Sequence, residues 1–342
     1  MKFLNVALVG CGLISEEHIR AYQKQADRAR IIVCCDIDPN KAAQRATLVG
    51  DARAVTTLEE VLADPEVDAV EVCTPHHLHA EAVIAAARAG KHVLCQKPLA
   101  KTLAECDAMI AAAAGAGVTL FYGETSLTQP AAVEAARVIA EGRIGRLVGV
   151  QATLAFWQGG KYLSTAWRYD PGVTGGGQLL DSGVHALALM LKIGGPIRTV
   201  ACLAARFREE LGGEDTCALS VRFEGGHLGT LFCSQAAGTW VPQPSLVAYG
   251  TEGAVTLGGP LGALVLHRPD LPDRREVLQE QRGDPFAAMI GQYLDTVLGG
   301  APSPSPGEAG RENLRVVLAA YEAARTGREV TMDEVTMDCI QV

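Results

Sequence analysis

The sequence predicts a two-part α/β fold: a doubly wound parallel sheet in front, followed by an α+β region built on a large, mainly antiparallel sheet. Three features carry this. Strand and helix signals alternate through the front third of the 342 residues. A glycine-rich turn, Gly10-Cys11-Gly12, joins the first strand to the first helix. Beyond Gly123 the strands lengthen and a hairpin signal, Glu224-Gly225-Gly226, appears. The length exceeds one ordinary core and suits two domains, with the boundary expected between 123 and 124.

Each front element has a local reason. Phe3 to Val9 is an apolar run of strand length, and Leu13 to Gln25 has helical periodicity. Ile31 to Asp36 is a second strand, after which Asp38 and Pro39 suit N-cap and N1 of a helix. Further strands are expected at Asp68 to Cys73, Lys91 to Cys95 and Val118 to Tyr122, with helices at His77 to Ala89 and Leu103 to Ala114 between them. Continuous apolar strands suit a sheet covered on both faces, and the repeated strand–helix–strand order implies parallel pairing. Behind, Ala131 to Glu141 reads as a helix, and strands are expected at Leu147 to Phe156, Thr199 to Phe207, Asp215 to Phe223 and Gly229 to Ser234. Helices at Gln178 to Ile193, Pro285 to Leu298 and Gly307 to Thr326 are expected to pack on one face of that rear sheet.

Composition narrows the functional classes. A net charge of −9 disfavours nucleic acid as a partner, because phosphate binding needs concentrated Lys and Arg. No run of apolar residues is long enough to span a membrane. The chain enters its first strand directly, without the pattern of a signal peptide. Its ten cysteines lack a CxxC pair and fall mostly in strand-like runs. They are read as reduced and buried in a cytoplasmic protein, with no metal site.

The glycine turn suggests a ligand. A GxGxxG turn between strand and helix lets backbone approach a pyrophosphate at the helix N-terminus, and here Ser15 holds the third place. Gly10, Gly12, Leu13 and Ile14 are therefore expected along a dinucleotide. Asp36 closes the second strand, where a carboxylate accepts hydrogen bonds from the adenosine ribose and repels a 2′-phosphate. No Arg or Lys follows at once, so NAD is favoured over NADP.

Further motifs, taken in order, resemble the Gfo/Idh/MocA oxidoreductases across nearly the whole chain. Thr74-Pro75-His76-His77-Leu78-His79 resembles the family's turn after the third predicted strand. The resemblance makes Thr74, Pro75, His76 and His79 cofactor neighbours. Gln96-Lys97-Pro98 is similar to the family's Glu-Lys-Pro, placing Gln96 by the cofactor and Lys97 between cofactor and substrate, with Gln as a departure. Trp167-Arg168 followed by Gly175-Gly176-Gly177-Gln178-Leu179-Leu180-Asp181-Ser182-Gly183-Val184-His185 resembles the family's WR…GGGxLxDxGxH. Asp181 and His185 are four apart and share a helix face, and the glycine run is expected to open that face to a cleft. The family's Asn-Arg-Arg-Phe-x-Pro is absent; Glu124 begins the replacing segment and is expected to line the cleft.

The resemblance implies a front domain of Rossmann type, an open-faced rear sheet used for a homodimer or homotetramer, and a small sugar or polyol substrate. In the expected reaction a secondary hydroxyl gives a hydride to the nicotinamide. His185 takes the proton, Lys97 stabilises the oxygen, and Asp181 orients the substrate and balances Lys97. Lys161, Tyr162, Trp167 and Arg168 are expected to contact the polyol, with Glu124, Asp181 and His185. Two other outcomes remain open within the family: a glycoside-cleaving oxidation–elimination enzyme and a non-catalytic NAD-binding regulator.

Overall fold

In chain order the elements are β1 (Leu4–Val9), α1 (Ser15–Gln23), β2 (Ala29–Cys35), α2 (Pro39–Val49), β3 (Arg53–Val55), α3 (Leu58–Ala63), β4 (Ala69–Val72), α4 (His79–Arg88), β5 (His92–Gln96), α5 (Leu103–Ala116) and β6 (Leu120–Gly123). There follow α6 (Thr125–Thr128), α7 (Pro130–Ala140), β7 (Leu147–Ala155), α8 (Pro171–Thr174), α9 (Val184–Gly194), β8 (Ile197–Ala205), β9 (Thr216–Phe223), β10 (Leu228–Ser234) and β11 (Pro244–Gly250). The last are β12 (Ala254–Gly258), β13 (Ala263–His267), β14 (Arg275–Gln279), α10 (Pro285–Gly299), α11 (Gly307–Thr326) and β15 (Val330–Thr331). The computed structural model describes residues 3–160, 165–239, 241, 243–258, 263–280 and 283–335.

The chain folds as two units, Met1–Thr125 with Asp284–Arg311, and Ser126–Gly283 with Glu312–Val342. This corrects the single boundary after Gly123 and the placement of α10 on the rear sheet. The cause is apolar. Met289, Ile290, Tyr293 and Leu294 of α10 are fully buried in one cluster with Leu8, Ile19 and Phe121. Each such side chain stabilises by about 1.5–3 kcal/mol. The exposed pairs Lys24–Asp284 and Arg28–Asp295 add about 0–1 kcal/mol each, so burial decides where α10 goes. The helix starts where Asp284 accepts from Phe286 and Ala287 N–H ahead of Pro285, and stops at Gly300, whose φ is 69°.

The first unit's six strands are all parallel, in the order β3-β2-β1-β4-β5-β6. The order reverses between β1 and β4, so a crevice opens at their carboxyl ends, where Gly10 and Thr74 lie. β4 is buried at every position, as a doubly covered strand must be. The predicted cap of α2 forms, Asp38 accepting from Asn40 N–H with Pro39 at N1. The predicted helix from His77 starts as a 3₁₀ turn, His76–Leu78, before α4.

The second unit's nine strands run β14-β13-β12-β11-β7-β10-β9-β8-β15, antiparallel except for the parallel pair β7–β10. β9 alternates buried and exposed residues along most of its length, so one face is covered and the other open. Val184, Leu187, Ala188 and Met190 of α9 are buried. The expected straight helix from Gln178 instead begins as a π-helical segment, Leu179–Gly183, and becomes α9 at Val184. Such wide turns recur at functional sites. Among the described residues no helix is long and apolar enough to cross a membrane.

Candidate active site

In the first unit the glycine turn has the shape that a dinucleotide needs. Gly10 has φ 94°, and a Cβ there would stand 2.6 Å from the Cys73 carbonyl, so only glycine lets β1 and β4 close up. A Cβ on Gly12 meets nothing within 4 Å, and Gly12 and Leu13 are exposed, with Ile14 half-buried beside them. Open space in front of a bare backbone and a helix N-terminus suits a pyrophosphate. Ser15 is fully buried; its Oγ donates to Gly12 O at 2.5 Å and accepts from Arg45 Nε at 2.9 Å. Arg45 also donates to Gly12 O and pairs with Glu16. No local signal in the sequence marks Arg45, which reaches the turn from α2.

Asp36 is fixed at both oxygens. Cys11 N–H donates to Oδ2 at 2.8 Å and Asp38 N–H to Oδ1 at 2.9 Å. The carboxylate is half-buried at the end of β2, beside the turn. These residues fit the adenosine end of NAD.

The turns after β4 and β5 are tied together from below. His79 is fully buried, with Nε2 2.9 Å from Thr74 O and Nδ1 2.9 Å from Pro98 O. Burial pushes its imidazole below the ordinary value, while the two carbonyls pull it up. Both ring nitrogens of His79 thus face the carbonyls of Thr74 and Pro98, and the ring ties the two turns together. Thr74 and Pro75 are half-buried, and His76 is buried. Gln96 is buried too: its amide nitrogen lies 2.7 Å from His18 Nε2 and donates to Gly123 O at 3.4 Å. Lys97 follows, half-buried, through a cis bond to Pro98. Glu124 is fully buried, in contrast to its expected place on a cleft wall, because the chain turns in tightly there, Glu124 N–H donating to Tyr122 O.

The second unit assembles Trp167, Arg168 and Asp181. Arg168 Nη1 donates to both Asp181 oxygens at 2.8 and 2.9 Å, and its guanidinium lies 4.6 Å from the centre of the Trp167 ring. His185 is half-buried on α9, four residues beyond Asp181. Lys161 and Tyr162 lie outside the described residues. A cavity of about 20 Å³, room for roughly one water, adjoins the pair between Gln158, Gln235 and the Gly176–Gly177 backbone. A larger one of about 280 Å³ lies among Leu318, Glu322, Arg328 and Val330, and no predicted site residue lines it.

The glycine run before Asp181 has a different cause from the one expected. Glu214 is folded over it: Gly177 N–H donates to Oε2 at 3.0 Å, Leu179 N–H to Oε1 at 2.8 Å and Tyr321 O–H to Oε1 at 2.9 Å. Gln178 N–H donates to Glu214 O. A Cβ on Gly176 would stand 2.5 Å from the Tyr321 hydroxyl, and one on Gly177 would collide with Glu214 main chain and carboxylate. The glycines thus admit an internal clamp that satisfies the first N–H groups of the helical segment. Burial, the largest influence, pushes the Glu214 carboxyl up despite these donors.

Nine of the cysteines are buried free thiols. Burial holds Cys73 and Cys95 protonated and pushes Cys35 up to about 12, so these behave as small apolar residues.

Residues 4–124 match the family model described as an oxidoreductase family with an NAD-binding Rossmann fold, and residues 132–256 match the GFO/IDH/MocA C-terminal domain. The chain is 31% identical over 338 residues to 1,5-anhydro-D-fructose reductase of Ensifer adhaerens, covering 95% of this chain and 98% of that one. It is 26% identical to myo-inositol 2-dehydrogenase of Thermotoga maritima, covering 97% and 99%. The solved structure of GenD2 from gentamicin A biosynthesis in complex with NAD superposes with a TM-score of 0.84 at 27% identity, covering 97% of each chain.

Proposed function

This chain belongs to the Gfo/Idh/MocA oxidoreductase family, and we propose that within it the chain is an NAD-dependent dehydrogenase of a secondary hydroxyl on a sugar, sugar derivative or cyclitol. The observation that carries this reading is the retained reactive set: Lys97 just past β5 in the dinucleotide unit, and Asp181 and His185 four residues apart in the second. Relatives named for an anhydro sugar and for inositol support a polyol substrate.

Bound NAD supplies the hydride acceptor. Lys97 donates to the reacting oxygen and stabilises its developing charge. His185 takes the hydroxyl proton on an imidazole nitrogen. Asp181, oriented by Arg168, accepts from substrate hydroxyls, and the Trp167 face packs on sugar C–H groups. Asp36 selects NAD over NADP, because its locked carboxylate repels a 2′-phosphate. A reducing, cytoplasmic setting suits the buried thiols.

We also propose a homodimer or homotetramer formed through the open face of the second sheet. Leu203, Phe232, Leu228 and Tyr249 stand 77, 45, 53 and 45% exposed there, and strand register puts them on one face. Phe232→Asp should lower the mass seen by light scattering to that of a smaller assembly; an unchanged mass would remove this face from the interface.

A panel of sugars and cyclitols, followed by NADH absorbance with NAD and NADP in parallel, tests the reaction. Lys97→Ala and His185→Ala should each lower turnover by roughly 10²-fold or more while NAD binding stays within about threefold. Near-normal turnover in both would dismiss the assignment. Product without net NADH would point instead to oxidation–elimination, and tight NAD binding with no turnover to a regulator.

A further inference from the structure

We infer that Gln96 is a positioning residue for Lys97, working with His18 and Glu71 as one buried chain that keeps the His18 ring neutral. His18 and Glu71 are fully buried and Gln96 is 6% exposed, all within the first unit. Gln96 is covalently next to Lys97, and that is the route by which the chain acts.

Proton accounting fixes the direction of every bond. Gly123 O can only accept, so the Gln96 atom facing it is the amide NH₂. The same nitrogen lies 2.7 Å from His18 Nε2, which must therefore be the accepting, unprotonated nitrogen. The ring proton is then on Nδ1, 2.5 Å from Glu71 Oε1. That contact is not a well-aligned hydrogen bond, and both atoms otherwise lack one. Two bare lone pairs would not approach so closely, so a proton lies between them. Tyr22 O–H donates to the other Glu71 oxygen at 2.7 Å. Read this way, the chain carries a neutral His18 and one buried negative charge on Glu71.

The groups around it do not alter this count. Phe286 meets the His18 ring edge-on at 5.2 Å. Tyr22, Tyr293 and Cys73 are all pushed up by burial and stay neutral. His18, Glu71 and Cys73 offer three ligand atoms within 4.8 Å of one another, and the imidazole and carboxylate among them are also members of this chain.

Gln96 is thus the switch between two states. An ionised glutamate here cannot donate to His18 Nε2. It would demand a proton on that nitrogen and turn His18 into an imidazolium between two carboxylates. The neutral amide keeps the ring neutral and holds the end of β5 through Gly123 of β6, fixing the backbone from which Lys97 projects. A shift of that backbone by about 1 Å is enough to cost 10²-fold in rate.

The role in turnover rests on the dehydrogenase reading; the ring state does not. The full chain, labelled with ¹⁵N-histidine and ¹³C-lysine, is measured by NMR with and without NAD. In the wild type His18 should show a neutral ring with its proton on Nδ1. Gln96→Glu should give the imidazolium, and the double variant Gln96→Glu/Glu71→Gln a neutral ring with the proton moved to Nε2. The Lys97 Cε signal should shift in the single variant and return in the double one. Turnover of Gln96→Glu should fall by roughly 10- to 100-fold, with NAD affinity within about threefold and most of the loss recovered in the double variant. A wild-type His18 protonated on Nε2 or on both nitrogens overturns the inference whether or not the variants fold. So does an unmoved Lys97 signal or wild-type turnover in Gln96→Glu. If the wild type oxidises no polyol, the reaction reading fails while the His18 and Lys97 signals still decide this one.

Discussion

In the first unit several of the polar residues around the candidate site reach main-chain groups. Asp36 holds Cys11 and Asp38 N–H, His79 reaches Thr74 and Pro98 carbonyls, and Gln96 reaches Gly123 O. In the second unit they end on other side chains or on a buried charge: Arg168 grips Asp181, and Glu214 takes Tyr321 O–H along with its backbone donors. A bond to backbone survives replacement of its partner's side chain, whereas an ion pair depends on both members at once. The first arrangement suits a ligand that does not vary across a family. The second can be altered only by changing residues in concert, which is what the proposed substrate role of Arg168 and Asp181 would require for retuning.

The sharpest way to break this comparison is at the clamp. Gly177→Ala drives a Cβ into Glu214 and should cost about 4 kcal/mol or more, or prevent folding. A denaturation midpoint equal to wild type would show that the clamp is loose. Next, Arg168→Ala leaves the Asp181 carboxylate, 16% exposed, without its guanidinium. It should cost about 1–3 kcal/mol and lower kcat/KM, with NAD affinity untouched. A change confined to NAD affinity would contradict the division of labour.

On the other side, Asp36→Ala should raise the NAD Kd by roughly tenfold, or about 1.4 kcal/mol, and narrow the preference over NADP. Calorimetric titration with both cofactors checks it, and unchanged preference would free Asp36 of that role. The smallest effect is one of pH. The folded-state Glu214 carboxyl sits above its unfolded value, so the native state holds the proton longer. Its stabilising contribution is complete below the unfolded value near pH 4.5 and is lost as pH rises through the folded one. Glu214→Gln should be less stable throughout yet show a flatter stability profile above about pH 5. Parallel profiles for the two proteins would argue against a raised Glu214.

The parallel sheet was legible because doubly covered strands are unbroken apolar runs and because a glycine turn and an acid mark the ends of β1 and β2. The Asp38–Pro39 start of α2 was equally local. What escaped was held by distance in sequence. Glu214 meets Gly177 across 37 residues and Tyr321 across 107, so the glycine run announced itself but not its reason. α10 is amphipathic, and periodicity shows that a face will be buried without showing against which sheet. β3, three residues with little burial, has no periodicity to detect. The π-turn at Leu179–Gly183 needs its surroundings to form. At Gln96 the sequence showed a departure from the family, but only His18, 78 positions away, reveals what the amide does.

The return of Asp284–Arg311 to the first unit has a consequence for inheritance. No single crossover can separate the nucleotide-binding half from the rest. A fragment stopping after Gly123 would carry every strand of its sheet yet leave Ile19, Leu8 and Phe121 facing solvent where α10 belongs. Exchange of the rear half between relatives must therefore spare this late segment, or bring in a replacement whose apolar side already matches the host.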